Sequence, residues 1–474
     1  MFLLVVCIAV LVLGYFLYSR LLERALLPLR GPTPAVVVND GMDYVPMSKW
    51  KDQLIELLNI AGTGPIFGAL MGAKWGPVVV VWIVAGTILG GAVHDYMSGM
   101  MSERNGGKST TWLIKHYMGE RLRYPILAMV VFVLVMVAAT FARSATDLLV
   151  VITDIPAVVW ISVILIYFVL SAILPINKVI GRIYPVFGVI LILMAVTIFL
   201  GLMFEGYQFP AMTLENLHPT GENIFPDMFI TVACGAISGF HATQSPMVAR
   251  CLKDEKDGRM VFYGAMVIEA VIALLWALAG LTFYYGTPAL ADALASMGAS
   301  GVVYDIATGV AGPVGGLLAV VGVLICPITS GDTAVRSARM MIQDDRGYDN
   351  HDNKKILIIT AAILVAVVGL CTLDFTVLWN YFAWLNQSLA CIVLWTATAF
   401  ILKTSSNRFY SLITALPALF MTSIVTSFII YSPLGLGADP MISISVGAFF
   451  TVVAAVLYLR ALFSKRPSEE DVQV

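Results

Sequence analysis

The chain has 474 residues, 59% of them hydrophobic and only 12% charged, with a formal net charge of −2. Soluble domains carry about 25% charged residues, so this chain lacks the polar side chains to cover a globule and its surface must face lipid. Its apolar runs are continuous, which excludes the alternating strands of a β-barrel, and it has no basic block that would bind nucleic acid.

In chain order, apolar stretches fall near 2–22, 54–73, 76–100, 124–150, 155–175, 183–205, 226–250, 260–286, 311–336, 355–373, 375–402, 408–431 and 441–463. At about 20 residues per membrane-spanning helix, they predict an all-α polytopic membrane protein of about 13 transmembrane helices. The N-terminal stretch has no basic n-region and no small-residue cleavage site, so it is expected to stay as a membrane helix rather than leave as a signal peptide. Lys and Arg alternate strongly between successive loops: 26 of the 28 fall on one side of this layout. Cytoplasmic loops collect these residues, which predicts an outside N-terminus and a cytoplasmic C-terminus. The end of the chain, 464–474, reads as a disordered tail. Cys7, Cys234, Cys251, Cys326, Cys371 and Cys391 show no C-x-x-C spacing and read as packing residues, and no cofactor is expected.

Two stretches are poor helices. The second contains Asn59-Ile-Ala-Gly-Thr-Gly-Pro65-Ile-Phe-Gly68, and the seventh Ala233-Cys-Gly-Ala-Ile-Ser-Gly-Phe-His-Ala-Thr-Gln-Ser-Pro246. Glycine costs about 1 kcal/mol and proline about 3 kcal/mol inside a helix, so each predicts an interruption near mid-membrane. Small-residue packing faces would explain the glycines alone, but not the paired prolines. The two lie five stretches apart, so 54–205 and 226–402 form blocks of five helices, and an odd block length inserts the second upside down. The helix 1–22 and the pair in 408–463 are then additions. Broken helices at matching places in inverted halves mark a substrate site at the midplane of a transporter. Its candidate lining is Gly62, Thr63, Gly64 and Pro65 with Ser238, Gly239, His241, Thr243, Gln244, Ser245 and Asn386.

Together with Asn39-Asp-Gly-Met-Asp-Tyr-Val-Pro46, Gly90-Gly-Ala-Val-His-Asp95 and Ile328-Thr-Ser-Gly-Asp-Thr333, these motifs resemble the carbon starvation protein family of bacterial transporters over roughly Asp40 to Arg339. The family usually carries a His-rich stretch where this chain reads Gln53 to Asn59. The resemblance implies a five-plus-five inverted-repeat core akin to amino acid–polyamine–cation transporters, and ion-driven uptake of peptides or small carboxylates such as pyruvate. Its partners would be a small-molecule or peptide substrate and the lipid bilayer. A channel or a signalling protein on the same scaffold is the alternative. An enzyme is not expected, since no nucleophile and base stand at a spacing such as H-E-x-x-H.

Ionisable groups inside a span need a partner or a purpose. Arg143 and Asp147, four apart, form either a structural ion pair or an outer gate. His94 and Asp95 are placed at the end of the third stretch, as a cap for the following loop or an inner gate. His241 is a candidate substrate or proton contact, and Glu269 a lone carboxylate for proton coupling or a structural hydrogen bond. In sodium-coupled relatives of the fold, a cation sits between the eighth core helix and the first broken one. Thr329 and Ser330, with the carbonyls of Ala61, Gly62 and Gly64, are the matching candidates, and Asp332 is an alternative protonation site. The coupling ion is thus H+ or Na+.

Overall fold

The computed structural model describes residues 2–26, 31–41, 43–173, 176–204, 206–348 and 352–464, and among these no strand occurs. The predicted disordered tail lies outside them from residue 465 onward, as do 174–175 and 205 at the edges of two predicted stretches. Long apolar helices dominate. They are α1 (Phe2–Leu26), α4 (Val78–Arg104), α5 (Glu120–Thr153), α7 (Ile176–Phe204), α9 (Glu255–Phe283), α11 (Gly315–Arg346), α12 (Lys354–Cys371), α13 (Phe375–Thr404), α14 (Arg408–Tyr431) and α15 (Pro440–Phe463). A shorter apolar helix, α6 (Ala157–Ile173), stands between α5 and α7.

Both interruptions are present. The first separates α2 (Lys49–Ile60) from α3 (Gly64–Trp75), with a bend of 60° between them. Ala61 leaves the helical region at φ −76°, ψ 76°. The second follows the turns Ile224–Met228 and Phe229–Thr231, where Val232 leaves at φ −90°, ψ 67°, and ends where Ser238 starts α8 (Gly239–Ala249). His241, Thr243, Gln244 and Ser245 lie in regular helix beyond that break.

After the first broken helix come α4, α5, α6 and α7, and after the second α9, α11, α12 and α13. An unforeseen element interrupts the second block: α10 (Thr287–Gly312), apolar and long enough to count as a span. Gly298, at φ 69°, divides it, and its pieces 287–297 and 299–311 are each roughly 16–20 Å long at about 1.5 Å per residue, short of the roughly 30 Å hydrocarbon core. It is a helix broken at Gly298, neither piece of which crosses alone. Its moderate hydropathy and many small residues explain why it passed as a loop.

Glycines let the halves meet. A Cβ on Gly64 would fall 2.1 Å from Cys234 Cβ, joining the two breaks, and one on Gly239 would fall 2.3 Å from the Asn386 carbonyl oxygen. α2 packs against α8 and α9, while α8 packs on the second half of α4 and on α13. α14 packs against α13, and α15 against α14.

Candidate functional site

Where the breaks meet, α4, α8 and α9 bring four ionisable side chains into one chain, all of them fully buried. Asp95 stands at its middle. Its Oδ1 is 2.8 Å from His94 Nδ1 and its Oδ2 2.9 Å from His241 Nδ1. His241 turns its other nitrogen, Nε2, to Glu269 Oε2 at 3.5 Å. One turn further along α8, the Ser245 hydroxyl donates to Glu56 Oε1 on α2 at 2.7 Å. His241 and Ser245 share a face of α8 because they are four residues apart.

This corrects one expectation. His94 and Asp95 do not close their helix, since α4 runs on to Arg104, about 15 Å further at about 1.5 Å per residue. Hydropathy drops over Ser98, Ser102 and Glu103, but these side chains are buried against the bundle, so the polar residues mark an interior face and not the membrane surface. Glu56 was missed altogether. The signal was a carboxylate three residues before Asn59 and the first break, in a stretch read only as a departure from a motif.

Asn386 holds the second break in place. Its Oδ1 accepts from the Phe240 N–H at 2.6 Å and lies 3.2 Å from Ser238 Oγ, while its Nδ2 donates to Ser238 Oγ at 3.0 Å. It therefore satisfies an N–H at the start of α8 that no intrahelical partner can. Thr243 and Gln244 face α11 instead, with Gln244 Nε2 3.3 Å from Ser337 Oγ. Gly62 packs under the Phe141 ring, where a Cβ would fall 2.2 Å from it. Thr63 starts the next turn, its carbonyl accepting from Phe67 N–H at 2.7 Å, and Pro65 lies in that turn.

The proposed cation ligands are rearranged. Ser330 does reach the first broken helix, but it donates to the Leu58 carbonyl at 2.9 Å rather than facing those of Ala61, Gly62 and Gly64. Thr329 turns to its own helix, donating to Ile325 O at 2.9 Å, as hydroxyls in a helix interior often do. Asp332 faces the other way, towards α6 and α7, with Ser171 Oγ 2.6 Å and Tyr184 Oη 3.1 Å from its Oδ2. Among the described residues no three His, Cys, Asp or Glu side chains converge closely enough to hold a metal ion.

Arg143 and Asp147 pair on α5, Nε to Oδ1 at 2.9 Å, and Arg143 also donates to the Cys371 carbonyl at 3.1 Å. Each side chain is about one-third exposed, 34% and 31%. On the face with the basic loops, Arg250 links Asp43 at 3.9 Å and Asp344 at 3.6 Å, and donates to the Gly107 carbonyl at 2.8 Å. It thereby ties the segment before α2 to the end of α11.

Comparison with known proteins agrees with this architecture. The family model for carbon starvation protein CstA matches residues 1–154, 144–301 and 285–428. An uncharacterized membrane protein of Haemophilus influenzae is 40% identical over 61% of this chain and 93% of its own length. The pyruvate/proton symporter BtsT of Escherichia coli is 27% identical over 60% of this chain, and the match spans 50% of that relative's length. The peptide transporter CstA of Bacillus subtilis is 23% identical over 87% of each chain. The chain thus spans about half the length of some curated relatives it matches. Among solved structures, MhsT in complex with L-phenylalanine has a TM-score of 0.57 at 13% identity, covering 88% of this chain and 99% of that one. A manganese transporter of Eremococcus coleocola has a TM-score of 0.53 at 10% identity, covering 90% and 99%. At such identities the likeness carries the fold alone.

Proposed function

Because the chain belongs to the carbon starvation protein CstA family, we propose that it is a proton-coupled importer of a small carboxylate such as pyruvate, or of a short peptide, working by alternating access around its two broken helices. The observation that carries this reading is the buried sequence His94, Asp95, His241, Glu269, with Glu56 held by Ser245 one turn of α8 from His241. Three carboxylates and two imidazoles in a buried site approach neutrality only by holding protons or a cation, because an unpaired buried charge costs several kcal/mol or more. These groups come from both broken helices and from two helices packed on them. A change in how the halves meet alters their separation, and with it their hold on a proton. That is the coupling a symporter needs.

A sodium-coupled reading has less support, since the Thr329 hydroxyl is spent on its own helix. The half-helix N-termini of α3 and α8 favour an anionic substrate group. The basic-loop face is taken as cytoplasmic, in a bacterial inner membrane with the blocks of five related by inversion.

In proteoliposomes with an acid exterior, labelled pyruvate and a labelled dipeptide are offered in turn. Saturable accumulation that collapses on adding a protonophore is the expected result. Uptake driven by a sodium gradient alone would overturn proton coupling, and flux that does not saturate would indicate a channel.

A further inference from the structure

A second buried feature lies between this cluster and the basic-loop face. Asp52, Glu56 and Asn59 occupy one side of α2 at intervals of four and three residues, which places them one above another. Asp52 is 1% exposed, although the flanking Trp50 is 64% exposed at the surface. Neither of its carboxylate oxygens has a hydrogen-bond partner, and the same holds for Asn59 Oδ1 and Glu56 Oε2. Asp52 and Asn59 both line a cavity of about 10 Å³, closed by Met47, Ile55, Met247, Val248 and Cys251. That is room for about one water molecule. A buried carboxylate without a partner is costly, and a water bridging it to the Asn59 carbonyl would satisfy both.

We propose that Asp52 and a water in this cavity form the proton exit from the buried cluster to the basic-loop face. The inference rests on the proton-coupled reading above. The transfer balances: a proton leaving Glu56, one turn along α2, reaches the Asp52 carboxylate through the cavity water, which gives one proton as it takes one, and Asp52 then passes it on towards the basic-loop face. Glu56 ends as the carboxylate and is reprotonated from the buried cluster in the next cycle. The titratable groups facing Asp52 are Lys51 on its own helix, Asp257 at the start of α9, and the Cys251 thiol. Glu56 is one turn away.

The test separates exchange from accumulation. Exchange of labelled for unlabelled pyruvate at equal pH and concentration on both sides needs binding and alternation but no net proton release, whereas accumulation down a pH gradient needs release on every cycle. D52N is expected to lower accumulation by about tenfold, to move its dependence on internal pH, and to leave exchange within about twofold of wild type; D52E retains both. Unchanged accumulation in D52N overturns the proposal, and so does equal loss of exchange and accumulation in a folded protein. Infrared difference spectra between acid and alkaline pH give a readout that needs no substrate. A carboxylic C=O band absent from D52N is expected in the wild-type protein, and its absence from wild type would overturn the Asp52 assignment. If wild type shows that band but no proton-driven uptake of pyruvate or dipeptide, the coupled-import reading fails and the release route falls with it.

Discussion

Asp95 accepts from two imidazoles at once, at 2.8 Å from His94 and 2.9 Å from His241. D95N keeps the shape and removes this property. An amide has one oxygen and one NH2, so it accepts from one histidine and must donate to the other, which then has to present a bare nitrogen. Charged hydrogen bonds contribute about 1.5–3 kcal/mol and neutral ones about 0.5–1.5 kcal/mol. Two such contacts therefore lose about 2–3 kcal/mol together, just below the roughly 3–5 kcal/mol for breaking a buried ion pair outright. The expected outcome is a folded protein with lowered thermal stability and proton-driven uptake reduced by about tenfold or more. Purified D95N is melted beside wild type in the same detergent, and uptake is measured in matched proteoliposomes. If D95N melts with wild type and still accumulates substrate against a gradient, the acceptor role of Asp95 and the coupling reading built on it are both wrong.

Gly239→Ala drives a methyl to 2.3 Å from the Asn386 carbonyl and 2.4 Å from the Ala390 nitrogen. These are backbone atoms that cannot turn aside, so about 1–3 kcal/mol of overpacking should appear as a lower melting temperature. Gly90→Ala, whose nearest neighbour is the Ile237 side chain at 3.4 Å, should melt like wild type and serves as the control. In the segment before the second break, His218 lies against the Trp75 ring at 4.5 Å, and burial pushes its pKa below the ordinary histidine value, opposed by nearby Glu222. A depressed histidine pKa means the folded state binds the proton less readily than the unfolded chain, so stability is full above about pH 6.5 and falls as pH drops below it. Trp75 fluorescence should report loosening of this contact in acid, and H218Q should abolish the dependence; a profile identical in H218Q would assign the transition to another group.

Local chemistry made much of this readable. Gly62, Gly64 and Pro65 end one helix and open the next, and the bend falls on the stretch they define. Lipid as solvent made the apolar lengths legible in the same way. What failed was the assumption that polarity marks the membrane edge: Ser98, Ser102 and Glu103 continue α4 because they face other helices. The contact of His241 with Asp95, 146 residues away in sequence, depends on how α8 is rotated against α4, and no local periodicity records that. Ser330 shows the same limit at smaller scale, since the meeting of α11 with the first broken helix was foreseen, but its hydroxyl chose Leu58 over the carbonyls beyond it.

The amide of Asn386 has a mechanical meaning as well. With Phe240 N–H held at 2.6 Å and Ser238 on the same side chain, and with no gap between Gly239 and the α13 backbone, α8 cannot slide along or tilt from α13 without stripping its own first turn. The two behave as one welded lever. α2 is fastened by single side-chain bonds: Ser330 to the Leu58 carbonyl, Ser245 to Glu56, and Gln53 to the Met260 carbonyl. Between a welded arm and one held bond by bond, the second yields first, so the rocking proposed above would start on the side of α2.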